Sequence, residues 1–177
     1  MSANIVLILI KNNAGMFTID FFKENSSPIP FDKEPYWTLL GDAVDLEKIL
    51  PHHREQLLFL NKKAADFIYT YIDELQILDK QLWQPFGNND FKQEEKYSSN
   101  SDFQSYKKWL YQRGIAFSNW VLVLPNYNSH PMLMTWKMIL KYSPDIFGTS
   151  DDILIFDFSQ SWYLFHYHEG EATLINR

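Results

Sequence analysis

The order of apolar and polar positions along the chain predicts strands at both ends and helices between them. Ile5–Ile10 is an unbroken run of β-branched residues and Leu, which suits a buried strand. Asn12-Asn13-Ala14-Gly15 supplies turn residues, and Phe17-Thr18-Ile19-Asp20-Phe21 alternates after it, so the two segments read as a hairpin. Lys23–Pro35 carries three prolines and two serines and is expected to be an ordered surface loop. Pro51 suits a first helical position. Leu57, Leu60, Ala64, Phe67, Ile68, Tyr71, Ile72 and Leu75 then recur at three- and four-residue steps, opposite Glu55, Lys62, Lys63, Asp66, Asp73 and Glu74. That pattern predicts one long helix from Pro51 to Leu75, with a helical turn around Asp45–Leu50 before it.

Gly87–Ser101 is polar and reads as a long exposed loop, an insertion within one domain. Asp102–Arg113 has helical spacing, with Phe103, Tyr106, Trp109 and Leu110 as the inward candidates and Gly114 placed to end it. Ala116–Leu124 reads as a strand stopped by Pro125, and Pro131–Tyr142 as a helix ended by Pro144. Asp152–Phe158, Ser161–His168 and Glu171–Asn176 are short aromatic or aliphatic runs separated by Ser159-Gln160 and Glu169-Gly170. They predict a three-stranded antiparallel meander. The expected fold is α+β. An antiparallel sheet that includes this C-terminal meander packs against several helices, in a single domain spanning residues 1–177 with a polar insertion near 87–101.

Composition removes whole classes of chemistry. At 177 residues the chain fits one domain and can bury about 70 % of its unfolded surface without a staple. It has no Cys, which excludes disulfides, thiolate catalysis and Fe–S clusters. The formal charge of −6 argues against broad phosphate binding. The longest apolar run, Ile5–Ile10, is too short for a membrane span or a signal peptide, so the cytoplasm is the expected compartment. No G-x-S-x-G elbow, H-E-x-x-H helix, P-loop or dinucleotide fingerprint occurs.

The histidines give one metal hypothesis. On a strand, His166 and His168 point to the same face, and Glu169 or Asp152 could complete a site. The plainer reading makes them half-exposed strand residues near a sheet edge. His52-His53 reads as a solvated helix start, where a charged imidazole is disfavoured. Lys92, Lys96, Lys107 and Lys108 lie among Glu94, Glu95 and Asp102 and read as a solvated mixed-charge surface.

The C-terminus is the most asymmetric part of the chain. From Asp145 to Glu171 there is no Lys or Arg, while Asp145, Asp151, Asp152, Asp157, Glu169 and Glu171 all occur. Trp162, Tyr163 and Tyr167 lie in the same stretch. Acids steer an encounter and buried aromatics anchor it. The candidate partner-binding residues are therefore Asp151, Asp152, Asp157, Trp162, Tyr163, Tyr167, Glu169 and Glu171.

The same tail carries a resemblance. A Trp-containing amphipathic segment, Trp136 to Phe147, is followed by a DD-I-hydrophobic strand, Asp151–Phe158, and by an S-x-x-W-x-L-x-x-x-x-E-G hairpin, Ser159 to Gly170. This last quarter resembles bacterial immunity proteins of contact-dependent inhibition and related polymorphic toxin systems. The resemblance implies a non-enzymatic, stoichiometric inhibitor that binds and neutralises a cognate toxin domain, often a basic nuclease. It implies a basic protein partner. No cofactor, catalytic residue or metal is assigned, and the diffuse lysines and the short apolar runs argue against direct nucleic-acid or membrane contact. The alternative is a small-molecule- or metal-binding protein, or an enzyme, with an aromatic pocket in which His166 and His168 serve as polar handles.

Overall fold

A computed structural model describes residues 17–29, 49–75, 77–79, 84–85, 93–98, 103–126, 130–148 and 152–176. Ile5–Ile10, most of the Asp45–Leu50 turn and Asp151 lie outside these residues.

The first described element is helix α1, Ile19–Glu24. Thr18 caps it by accepting a hydrogen bond from the Phe21 N–H at 3.2 Å, and Asp20 sits in its positive first turn. The alternation of Phe17 to Phe21, expected as a strand, is thus overridden by a cap. Phe22 is fully buried and holds the helix to the sheet. Strand β1, Ser26–Ser27, pairs with β2, Leu57–Leu60.

The helix expected from Pro51 to Leu75 is in fact three elements. A single turn, α2 (Pro51–Arg54), leads into β2, and α3 (Lys62–Leu75) follows. Asn61 starts α3 by accepting the Ala64 N–H on its side-chain oxygen at 3.0 Å. Leu57 and Leu60 keep helical spacing with Ala64, yet the four-residue apolar run pays its backbone hydrogen bonds into the sheet.

A two-stranded ribbon follows, β3 (Leu78–Asp79) with β4 (Gln84–Pro85). Part of the polar stretch expected as a loop is strand β5, Gln93–Ser98, at one end of the large sheet. Its pairing with the last strand leaves polar side chains suited to an edge. Helix α4, Phe103–Tyr111, buries Tyr106 and Leu110, but Phe103 is 44 % exposed. Gly114, at φ +71, turns the chain away from it.

Strand β6, Trp120–Pro125, begins later than expected and takes in Pro125. The segment expected as one helix from Pro131 splits into β7 (Met132–Thr135) and α5 (Trp136–Lys141). Pro144 does not end a helix but lies in the first turn of α6, Ser143–Phe147. The meander is present as β8 (Ile153–Asp157), β9 (Trp162–Tyr167) and β10 (Glu171–Asn176).

The eight-stranded sheet runs β1-β2-β7-β6-β8-β9-β10-β5 and is antiparallel throughout. The fold is α+β. One face packs Val121, Val123, Met132, Met134, Ile155 and Leu164 against α4, α5 and α6. The other packs Leu122, Leu133, Leu154, Phe156 and Phe165 against α1 and α3. The central strands are therefore apolar on both faces, which explains why they read as continuous runs. At about 1.5–3 kcal/mol per fully buried large side chain, this double core dominates the favourable terms.

Candidate binding groove

The expected site at the tail comes apart in the structure. Trp162 and Tyr163 are 8 % and 0 % exposed, so neither can anchor a partner at the surface. Strands β8 and β9 are covered on both faces, and both rings are core. The Asp157 carboxylate accepts the Ser159 N–H at 3.0 Å, the Ser159 hydroxyl and the Trp162 indole N–H at 3.2 Å. It organises the β8–β9 turn, where Gln160 adopts φ +52. Asp152 accepts the His168 N–H at 2.9 Å and pairs with its Nδ1 at 2.8 Å, with Asn126 Nδ2 at 3.3 Å. Tyr167 is half-buried, and only Glu169 and Glu171 remain exposed. Asp151 lies outside the described residues.

The two strand histidines part as well. His166 is 4 % exposed and lies under α4 and α6. Its Nε2 donates to the Phe147 carbonyl at 3.2 Å, which leaves Nδ1 to accept the Tyr106 hydroxyl at 3.2 Å. Burial holds its pKa down at about 4, against smaller raising effects from the Phe147 carbonyl and Asp152. His168 is exposed, and its bond to Asp152 raises its pKa. Both His166 nitrogens are occupied, and no group of three or more potential ligands capable of holding a metal occurs among the described residues. The expectation that both histidines are half-exposed is corrected for His166.

A surface feature lies elsewhere, over the α4–α5 side of the sheet. Leu50, His53, Lys107, Tyr111, Phe117, Lys137, Leu140 and Lys141 line a groove of about 540 Å³. Local structure positions each wall. Ile49 is buried in the core and anchors the turn that presents Leu50, while Arg54 Nε bonds back to the Ile49 carbonyl at 3.1 Å. On α4, Lys107 and Tyr111 are four residues apart and share one face. On α5, Lys137, Leu140 and Lys141 do the same. Two N–H groups at the start of α5 are met by the loop ahead of β6: Trp136 donates to the Asn119 carbonyl at 2.7 Å and Lys137 to the Phe117 carbonyl at 3.0 Å. Those bonds set the Phe117 ring beside Tyr111, with centroids 5.8 Å apart.

The floor and the walls differ. Leu140 and His53 are each 6 % exposed, whereas Leu50, Tyr111 and Phe117 are 50 %, 62 % and 51 % exposed. Those three make up most of the large exposed apolar side chains among the described residues. His53 is not the solvated histidine the sequence suggests. It is hydrogen-bonded through Nδ1 to the Tyr142 hydroxyl at 2.8 Å, and its ring meets Tyr142 edge-on. Burial lowers its pKa first, and His52, Lys137 and Lys141 add to the effect. Among the described residues no carboxylate lines the groove, and none pairs with Lys107, Lys137 or Lys141.

Sequence reasoning missed this groove. One signal was available: Tyr111 stands one position past Leu110, off the buried stripe of α4, where an aromatic side chain has no core to enter. Lys107, read as part of a diffuse mixed-charge surface, instead faces two lysines from a helix thirty residues further on. No helix among the described residues is long and apolar enough to cross a membrane. Comparison with protein-family models, curated proteins and solved structures gives no match.

Proposed function

We propose that this protein is a non-enzymatic inhibitor of the immunity-protein kind, acting by binding one protein partner through the Leu50–Tyr111–Phe117 groove. The observation that carries the reading is the clustering of three half-exposed or more exposed apolar side chains in one concave, cation-rimmed surface. Contiguous exposed apolar surface with a polar rim marks interaction sites. Aromatic side chains near its centre are the usual energetic anchors. The likeness of the tail to immunity proteins supplies the inhibitor half of the proposal. The contact residues shift from the tail acids to the groove, because Trp162 and Tyr163 are core.

The test pairs two baits in extracts of the source cell, the wild-type chain and a Leu50→Ser/Tyr111→Ser/Phe117→Ser variant. A partner retained in equimolar amount by the wild type and lost from the variant is expected. Expressed alone, that partner arrests growth, and co-expression of the wild-type chain restores it. A partner held equally by both baits removes the groove, and a partner without toxicity removes the inhibitor role.

A second reading rests on the groove's size. About 540 Å³ falls within the range of small-molecule sites. Melting-temperature shifts in a screen of metabolites and metals would favour it.

A further inference from the structure

The groove carries a charge that the whole chain does not. Lys107 from α4 and Lys137 and Lys141 from α5 converge on one apolar floor, in a protein of formal charge −6. At physiological salt the Debye length is about 8 Å, so distant carboxylates are screened while groups inside the groove are not. What a ligand meets there is local positive charge over Leu140, between the Tyr111 and Phe117 rings and Leu50. Lysine stems lie along apolar surface and keep the ammonium group at the rim, so one occupant can use both the floor and the charges. A ligand that satisfies this surface has carboxylates spaced around at least one bulky apolar side chain.

The exposure of the walls selects the size of that ligand. Small-molecule sites bury roughly 70–90 % of their ligand. Here Leu50, Tyr111 and Phe117 are half or more exposed, so the groove is open along its length and grips a ligand from one side. A segment of a larger partner fits an open groove, because its binding does not depend on full enclosure. A polynucleotide fits poorly, since three lysines neutralise few phosphates and the rest of the chain is acidic.

We infer that the groove binds an acidic peptide segment of a protein partner, with carboxylates on Lys107, Lys137 and Lys141 and an apolar side chain between Tyr111 and Phe117. This rests on the binding reading above and reverses the expectation of a basic contact. A toxin that is basic overall can satisfy it through one acidic docking segment.

The experiment uses the full chain and a fluorescein-labelled peptide of alternating Glu with Leu and Phe, followed by anisotropy. Matched peptides replace every Glu by Gln, or every Leu and Phe by Ser. The expected result is saturable binding of the first peptide, at least tenfold weaker binding of both controls, and a similar loss in the Lys107→Gln/Lys137→Gln/Lys141→Gln variant. These side chains lie at the rim, so an unchanged melting temperature shows that the variant is folded. Four results overturn the inference: no binding at millimolar peptide, equal binding of the Gln peptide, equal binding by the variant, or displacement at equal concentration by dodecanoate or single-stranded RNA. Self-association that titrates with the same lysines makes a second copy the occupant and also overturns it. If the cellular partner is lost from the Leu50/Tyr111/Phe117 variant while the acidic peptide fails to bind, the binding reading stands and only the ligand chemistry is wrong.

Discussion

His166 makes the stability of this fold depend on pH in a direction and amount set by its surroundings. In the unfolded chain its pKa is near 6.5; in the folded chain burial lowers it to about 4. As pH falls the unfolded state therefore takes the proton first. The contribution of His166 is fully present above about pH 6.5 and is lost as pH falls towards 4. A shift of that size, at 1.36 kcal/mol per pKa unit, is worth about 3 kcal/mol in full, of which most is lost by pH 4.5. Groups facing the ring from each packed element are Tyr106 on α4, the Phe147 carbonyl on α6, and Asp152 and His168 beside β9. His168 works in the opposite sense. Its folded pKa is raised, so its stabilisation is present at low pH and fades as pH rises through that value, and its exposure keeps the effect small.

The perturbation that isolates the buried ring is His166→Gln. Glutamine is neutral at every pH, and its amide group can still donate to Phe147 and accept from Tyr106. Urea unfolding is measured for both proteins at pH 7.5 and pH 4.5. Carboxylates and His168 titrate alike in the two and cancel in the difference. The wild type is expected to lose about 2–3 kcal/mol more than the variant between the two pH values. With a slope near 2 kcal/mol per molar urea, its midpoint falls by about 1 M more. Equal losses within about 0.5 kcal/mol would falsify the account of His166 as a neutral imidazole held in the core.

Other expectations follow from single contacts. Asn61→Ala removes the cap of α3 and should cost about 1 kcal/mol in urea unfolding, while Asn61→Asp should cost much less. Gly148→Ala places a Cβ against the Pro144 carbonyl oxygen, a backbone atom that cannot swing away, so a loss of roughly 1–3 kcal/mol is expected by thermal melting. Leu50→Ser and Phe117→Ser should each change stability by less than about 0.5 kcal/mol, because both side chains already meet water, while abolishing partner retention. The acidic peptide should bind more tightly at lower pH, since an anion in the groove favours charged His53 against burial, His52, Lys137 and Lys141, which hold its pKa down. In titrations at pH 7.5 and 5.5, His53→Gln should remove that dependence.

The meander was legible because each of its strands is bounded by turn residues and carries a long apolar run that only a sheet buried on both faces explains. The two junctions where a strand runs into a helix were not. Leu57–Leu60, all apolar, and Met132–Thr135, three apolar residues and a threonine, are four-residue strands that continue, in phase, the periodicity of the helix behind them. Period alone cannot separate the two states over so few residues; long-range pairing with β7 and β6 decides them. Capping in the folded chain overrides the apolar pattern at two helix starts. Thr18 starts α1 and Asn61 starts α3, and each outweighs the pattern of apolar positions around it. Strand β5 was hidden for another reason. Its sequence, Gln93 to Ser98, is polar because it pairs on one side at the margin of the large sheet, and Tyr97 packs towards the core.

The tail acids and the groove lysines show how folding redistributes charges that a count along the sequence groups together. A run of acids without cations is conspicuous in one dimension, but folding assigns two of those acids internal work, while Asp145, Glu169 and Glu171 stay exposed. Asp157 organises a turn, and Asp152 holds His168 and Asn126. The lysines are the reverse case. Lys107 is separated from Lys137 and Lys141 by a strand pair and a loop, and lies near acids in sequence. Only the packing of α4 beside α5 over one sheet face brings the three together, with no carboxylate among the described residues that line the space between them. Charge that folding leaves unpaired around exposed apolar side chains is the charge available to a partner. On that criterion the groove is the stronger site, although the chain as a whole is acidic.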